Sequence, residues 1–146
     1  MSNPLLPIVS IAGRVLLCTI FFMSAVGNKI PNFNAVAELM GKVGVPSPQL
    51  LLVGAIVFLI VGSVSVASGY QARFGAALLL VFLGLATYYF HAFWKAPEAE
   101  QQDYMIHFMK NLSMSGAMLF IMANGSGAGS LDAVLARRKA TGTRAA

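Results

Sequence analysis

Residues 50–69 read LLLVGAIVFLIVGSVSVASG, twenty residues without a single Asp, Glu, Lys, Arg or His. A helix of that length is about 30 Å long, the thickness of the hydrocarbon core of a bilayer. Its apolar residues cover every side, so it is neither the one-striped helix of a soluble bundle nor the alternating strand of a barrel. In hydrocarbon only a helix or a closed barrel satisfies its own backbone, and this run leaves the helix.

Three further runs, 5–26, 74–90 and 112–128, have similar character, and no charged residue or histidine interrupts 111–131. The third run leads into Tyr88, Tyr89, Phe90, Phe93 and Trp94, amphipathic rings of the kind that sit at headgroup level. With 58% hydrophobic and 10% charged residues in 146, a soluble core could not hide this much apolar surface. The expected fold class is all-α: one integral membrane four-helix bundle over 1–146, with a short basic tail at 133–146.

Basic residues set the expected orientation. Arg73, Arg137, Arg138, Lys139 and Arg144 fall on one side of this arrangement. Lys29, Lys42, Lys95 and Lys110 fall on the other, among Glu38, Glu98, Glu100 and Asp103. The denser Lys and Arg side marks both termini as cytoplasmic. A net charge of +5 without a domain-wide basic patch reads as topology plus attraction to anionic membrane lipids, so no nucleic-acid partner is expected. No basic stretch precedes the first run and Leu17 stands before Cys18, so neither signal cleavage nor lipoprotein processing is expected and the first span is retained.

Few residues carry chemistry of their own. Cys18 is the only cysteine, which excludes two-cysteine thiol exchange within the chain and reads as a small core residue. His91 and His107 raise a bis-histidine haem, and Met105, Met109, Met114, Met118 and Met122 a copper ladder. Two histidines lack a supporting motif and methionine fills gaps in helix cores, so no metal site is expected.

Polar atoms recur at helical spacing near the outer ends of three spans: Ser24 and Asn28 beside Lys29, Thr87 and His91, and His107, Asn111 and Ser115. Converging faces would make a pocket of hydroxyl, amide and imidazole groups with Lys29 and Lys110 at its rim, suited to the head of an amphipathic ligand. The bland alternative is that these groups hydrogen-bond from helix to helix. Arg14 lies too deep in the first span to reach water easily, and Asp132 is the acid on its side, so an Arg14–Asp132 ion pair is expected. Ser65 and Gly69, Ala72 and Ala76, and Ser113 and Ala117 are small-residue pairs that allow close helix contact. Glycines at 125, 127 and 129 should end the last span, Ser130 should N-cap a short final helix, and 140–146 look disordered.

Gly13-Arg14, Phe21-Phe22, Gly27-Asn28-Lys29-Ile30, Gly44-Val45-Pro46, Phe90-His91-Ala92-Phe93-Trp94, Lys110-Asn111-Leu112 and Gly129-Ser130-Leu131-Asp132 occur in that order. In that series the chain resembles the DoxX family of four-helix membrane proteins. The resemblance implies a bundle in the bacterial cytoplasmic (inner) membrane, with relatives that include a subunit of a thiosulfate:quinone oxidoreductase. It also implies that Arg14, Lys29, His91, Lys110, Asn111 and Asp132 stand at the family's marked positions. Many relatives carry a glutamate in the second span, and Val57-Phe58-Leu59-Ile60-Val61-Gly62 has none, which argues against proton-coupled chemistry within the membrane. The function expected is an accessory subunit of a quinone-linked redox system, with quinone as the possible cofactor and His91 or Lys110 contacting its carbonyl. No flavin, haem or thiol-pair signature is present, so electrons would come from a partner protein. The alternative is a structural or assembly subunit, in a complex or homo-oligomer, without ligand chemistry.

Overall fold

In the computed structural model, which describes residues 5–144, the chain forms six α-helices: α1 (Leu5–Ser24), α2 (Phe33–Lys42), α3 (Pro48–Ser68), α4 (Ala72–Phe90), α5 (Gln101–Asn124) and α6 (Leu131–Arg144). The last turn of α1 widens into a π-helical turn over Ala25–Lys29, and a short 3₁₀ turn, Phe93–Lys95, follows α4. No strand occurs among the described residues. Among the described residues, three segments are long and apolar enough to cross a membrane: Leu5–Lys29, Pro48–Ser68 and Ala72–Lys95.

The expected four-helix bundle is corrected on two counts. Between α1 and α3 lies a short helix, α2, where the sequence reading left a loop. The fourth helix runs over Gln101–Asn124 rather than 112–128, because Gly125, at φ 80°, ends it early and its first turns wind through the polar residues before Lys110. At 24 residues α5 is about 36 Å long, enough to span, but its outer half carries Asp103, His107 and Lys110.

Local chemistry accounts for the ends. Pro48 opens α3 at a position where its missing N–H costs nothing. Gly69, at φ 71°, closes it, with Tyr70 N–H on Ser65 C=O at 3.1 Å and Gly69 N–H on Val66 C=O at 3.2 Å, the paired bonds of a glycine-terminated helix. Ser130 caps α6: its Oγ accepts the Ala133 N–H at 3.1 Å. α6 then continues as helix to Arg144, so the disorder expected from 140 is not what 140–144 adopt; 145 and 146 lie outside the described residues.

α3 packs against α1, α2 and α4, and α4 against α5. The main core is built from Cys18, Phe21 and Ala25 of α1, Leu59 and Val66 of α3, Ala72, Ala76, Leu79 and Leu83 of α4, and Met118 and Ile121 of α5. α3 and α4 cross closely at Gly62 and Gly75: a Cβ on Gly62 would meet Leu79 Cγ at 2.7 Å, and one on Gly75 would meet Ser65 Oγ at 2.5 Å. Among the small-residue pairs anticipated, Ala72 and Ala76 are buried at this crossing, whereas Ser113 is exposed. A second cluster, Ala37, Met40, Val45 and Leu52 with Tyr89 and Phe90 against it, seats α2 over the end of the bundle opposite the termini. We call that the outer end, and the end that carries α6 the inner end.

Outside, the pattern is inverted relative to a soluble protein. Leu16, Ile20, Leu50, Val57, Val64, Phe74, Val81 and Leu85 all point outward and are largely exposed. In water so continuous an apolar surface would aggregate; around membrane helices it is the face that meets lipid.

Candidate functional site

Two groups of polar side chains lie at opposite ends of the helices. The outer group begins with the π-helical turn. A turn with i,i+5 closure brings Lys29 back over Ser24, and Lys29 Nζ donates to Ser24 Oγ at 2.7 Å while lying 5.4 Å from the centre of the Phe82 ring on α4. The i,i+4 face expected for Ser24 and Asn28 is displaced by that extra residue: Asn28 is exposed, and its backbone carbonyl accepts Asn32 Nδ2 at 3.1 Å.

Thr87 and Asn111 meet across α4 and α5, with Asn111 Nδ2 donating to Thr87 Oγ1 at 2.9 Å. One turn outward, the His91 and His107 rings stack with centroids 4.9 Å apart and planes 14° from parallel. Ser115 does not reach across; its hydroxyl donates to its own helix at Asn111 C=O, 2.8 Å. Lys110 is exposed. Beside the histidines, Phe93, Trp94 and Phe108 pack edge to face at 5.2–5.9 Å, and Lys95 lies 5.3 Å from the centre of the Tyr88 ring. Of the anticipated outer residues, the structure therefore pairs Lys29 with Ser24, Thr87 with Asn111 and His91 with His107, and it leaves Asn28, Lys110 and Ser115 outside these contacts.

Two surface depressions lie away from this group: one of about 1010 Å³ between α2 and the start of α3, the other of about 620 Å³ at the inner end. No set of three or more His, Cys, Asp or Glu side chains gathers as a metal site among the described residues. The methionine series divides, with Met118 buried in the core, Met114 and Met122 packed against it, and Met105 and Met109 facing outward.

The inner group is organised by Arg14, only 6% exposed. Its Nη1 donates to Ser126 C=O at 3.0 Å and its Nη2 to Gly129 C=O at 3.2 Å, while its Nε has no partner among the described residues. The direct Arg14–Asp132 ion pair is not formed. Asp132 instead accepts the Gln71 N–H on Oδ1 at 3.1 Å and the Ser126 hydroxyl on Oδ2 at 3.2 Å, so Ser126 links acid and base. The reason lies in the 125–129 loop. Gly125, Gly127 and Gly129 all take positive φ, and that backbone turns its carbonyls toward the guanidinium before Asp132 is reached. Gly69 completes the enclosure: a Cβ there would collide with Arg14 Nη1 and Ser130. The Asp132 N–H donates to Gly69 C=O at 3.1 Å. Ser126, Gly129 and Gly69 were not anticipated as Arg14's neighbours; the glycine at every second position of 125–129 was the available signal.

The sequence of residues 9–92 matches the DoxX family model. The chain belongs to the DoxX family. The matched part of this DoxX chain holds Arg14, Lys29, Gly69, Thr87 and His91, and stops before α5 and α6. Relatives extend the likeness beyond that part, to more than four fifths of the chain. The chain is 29% identical over 127 residues to inner membrane protein YphA of Escherichia coli, covering 86% of this chain and 89% of that protein. It is 31% identical over 123 residues to inner membrane protein YqjF of the same organism, covering 84% and 89%. A Surfeit locus protein 4 homolog of Schizosaccharomyces pombe shares 35% over 66 residues, but those are only 22% of that protein, so the likeness is local. No solved structure matches significantly.

Proposed function

We propose that this DoxX protein is a four-span subunit of the bacterial cytoplasmic membrane, with both termini cytoplasmic. In this reading its outer polar groups lock helices, and its outer aromatic ledge docks a partner protein. The fourth span is α5: Leu112, Leu119 and Phe120 are 54%, 54% and 69% exposed, an apolar outer face like those of α1, α3 and α4. The names of the E. coli relatives support the inner membrane. The observation that carries the functional reading is pairing. Thr87 and Asn111 bond to each other across α4 and α5, and Lys29 turns back to Ser24, so each of these groups is already engaged within the fold. Mild-detergent pull-down with mass spectrometry tests it: one stoichiometric membrane partner, lost on Trp94→Ala, is expected. Purification of the chain alone at every detergent strength would refute it.

The quinone-linked accessory role is the second reading, and one observation favours it. His107, stacked on His91, and Lys110, three residues further along α5, are both exposed, at the level where a quinone head would lie. Organic extraction of the purified protein decides between the two. A quinone retained one to one and lost on His91→Ala supports the redox role; its absence supports the structural one.

A further inference from the structure

We propose that the outward face of α6, together with Arg73, is a docking surface for the headgroups of anionic phospholipids. The proposal rests on the four-span reading, which puts α6 at the membrane surface.

At 100° per residue, Leu131, Val134, Leu135 and Arg138 fall on one face of α6, with Arg137 beside it. Leu131, Val134 and Leu135 are 49%, 43% and 43% exposed, whereas Asp132 and Ala133 on the other side are half-buried against the protein. The helix is fixed at this level by the Asp132 N–H on Gly69 C=O and the Gln71 N–H on Asp132 Oδ1. Tyr70 and Phe74, 48% and 56% exposed on the adjoining turn, mark the same level as interfacial. An apolar stripe that continues into arginines is the pattern of a helix lying in the interface, its arginine stems along the acyl boundary and their heads at the phosphates.

Charge selects the occupant. No acidic residue follows Asp132 in the chain, and both oxygens of Asp132 are already engaged by Gln71 and Ser126. Arg73 is exposed at the rim of the 620 Å³ inner depression, its Nη2 3.4 Å from the Ala123 carbonyl. The outward charge here, from Arg73, Arg137 and Arg138, is therefore positive. A second copy in the same orientation offers no complement, since Glu38, Glu98, Glu100 and Asp103 all lie toward the outer end. An anionic leaflet supplies both the apolar boundary and the negative charge.

The test uses the full chain as Leu135→Cys in a Cys18→Ala background, labelled with an environment-sensitive dye. It is placed in nanodiscs of phosphatidylcholine alone or with phosphatidylglycerol as about a third of the lipid. Phosphatidylglycerol is expected to shift the emission to the blue and reduce quenching by iodide. Arg137→Glu with Arg138→Glu should weaken that dependence about tenfold. Equal emission and quenching in the two disc types overturns the proposal. So does burial that ignores phosphatidylglycerol but grows with the number of copies per disc, which assigns the face to self-association. Both leaflets carry the same lipid, so the result does not depend on which face is cytoplasmic. Failure of the membrane reading appears separately, as protein that does not float with the discs.

Discussion

Arg14 at the inner end and Lys29 at the outer end are both cations on α1, and the fold treats them differently. Arg14 is 6% exposed and held by carbonyls 112 and 115 residues away in the chain. Lys29 is half-buried and returns to a hydroxyl five residues behind it, with an aromatic face beside it. Long-range hydrogen bonds to the backbone close the inner end into one unit with α6, whereas the polar contacts of the outer end are single side-chain pairs, set beside the apolar cluster that seats α2. The polar contribution to stability is therefore expected to be larger at the inner end than at the outer one.

The largest effects should come from the inner end. Gly69→Ala asks a left-handed backbone position to carry a Cβ in the space of Arg14 Nη1 and Ser130. Arg14→Leu leaves the Ser126 and Gly129 carbonyls without their donor. An orphaned carbonyl costs about 1–3 kcal/mol, toward the lower end where it is only part-buried as at Ser126 and the exposed Gly129, so a loss of about 3 kcal/mol is expected for either variant. Circular dichroism during an SDS titration measures it. Arg14→Lys should recover only part, because an ammonium lacks the planar fork that spans two carbonyls. Equal stability of Arg14→Leu and the parent would remove the asymmetry between the ends. Next in size is Gly75→Ala at the α3–α4 crossing, where the new methyl meets Ser65 Oγ and the Gly62 carbonyl. About 2 kcal/mol is expected on the same titration, as for overpacking in a tight contact.

The spans over α1, α3 and α4 were legible because hydrocarbon imposes a length and a composition that no neighbour can override. α5 was harder: its outer half is polar, so apolar run length placed it about eleven residues late. α2 is only ten residues long, too short for a span-length criterion to find, and it is fixed by packing of Ala37 and Met40 on Leu52. The site was legible as a set of residue types and not as pairings. The π-helical turn moves Asn28 off the shared face and puts Lys29 on it, and nothing in 25–29 announces the extra residue. Charge logic matched Arg14 with Asp132 as an ion pair, whereas the two are linked only through Ser126. It overlooked that a glycine-rich backbone can present carbonyls to an arginine as well as a carboxylate can.

At the outer end, Asn111→Ala removes one hydrogen bond between α4 and α5, leaving the Thr87 hydroxyl half-buried. Such bonds between membrane helices are worth about 0.6 kcal/mol on average, up to about 1.7, because the separated helices find other partners in the bilayer. A loss of about 1 kcal/mol is expected. A loss as large as that of Arg14→Leu would mean the outer pairs carry as much of the fold as the inner loop does.

The smallest effect on stability is expected from His107→Ala. His107 is exposed and contributes one face of a stack with His91, so its removal should change the SDS midpoint by no more than about 0.5 kcal/mol. That makes it the variant in which function and folding separate. If the outer end serves only to join helices, His107→Ala should bind its partner as the parent does. If the exposed imidazole meets a quinone head or a partner's surface, retention of that ligand should fall while the SDS midpoint holds. A fall in both together would place the histidine stack among the structural contacts of α4 and α5.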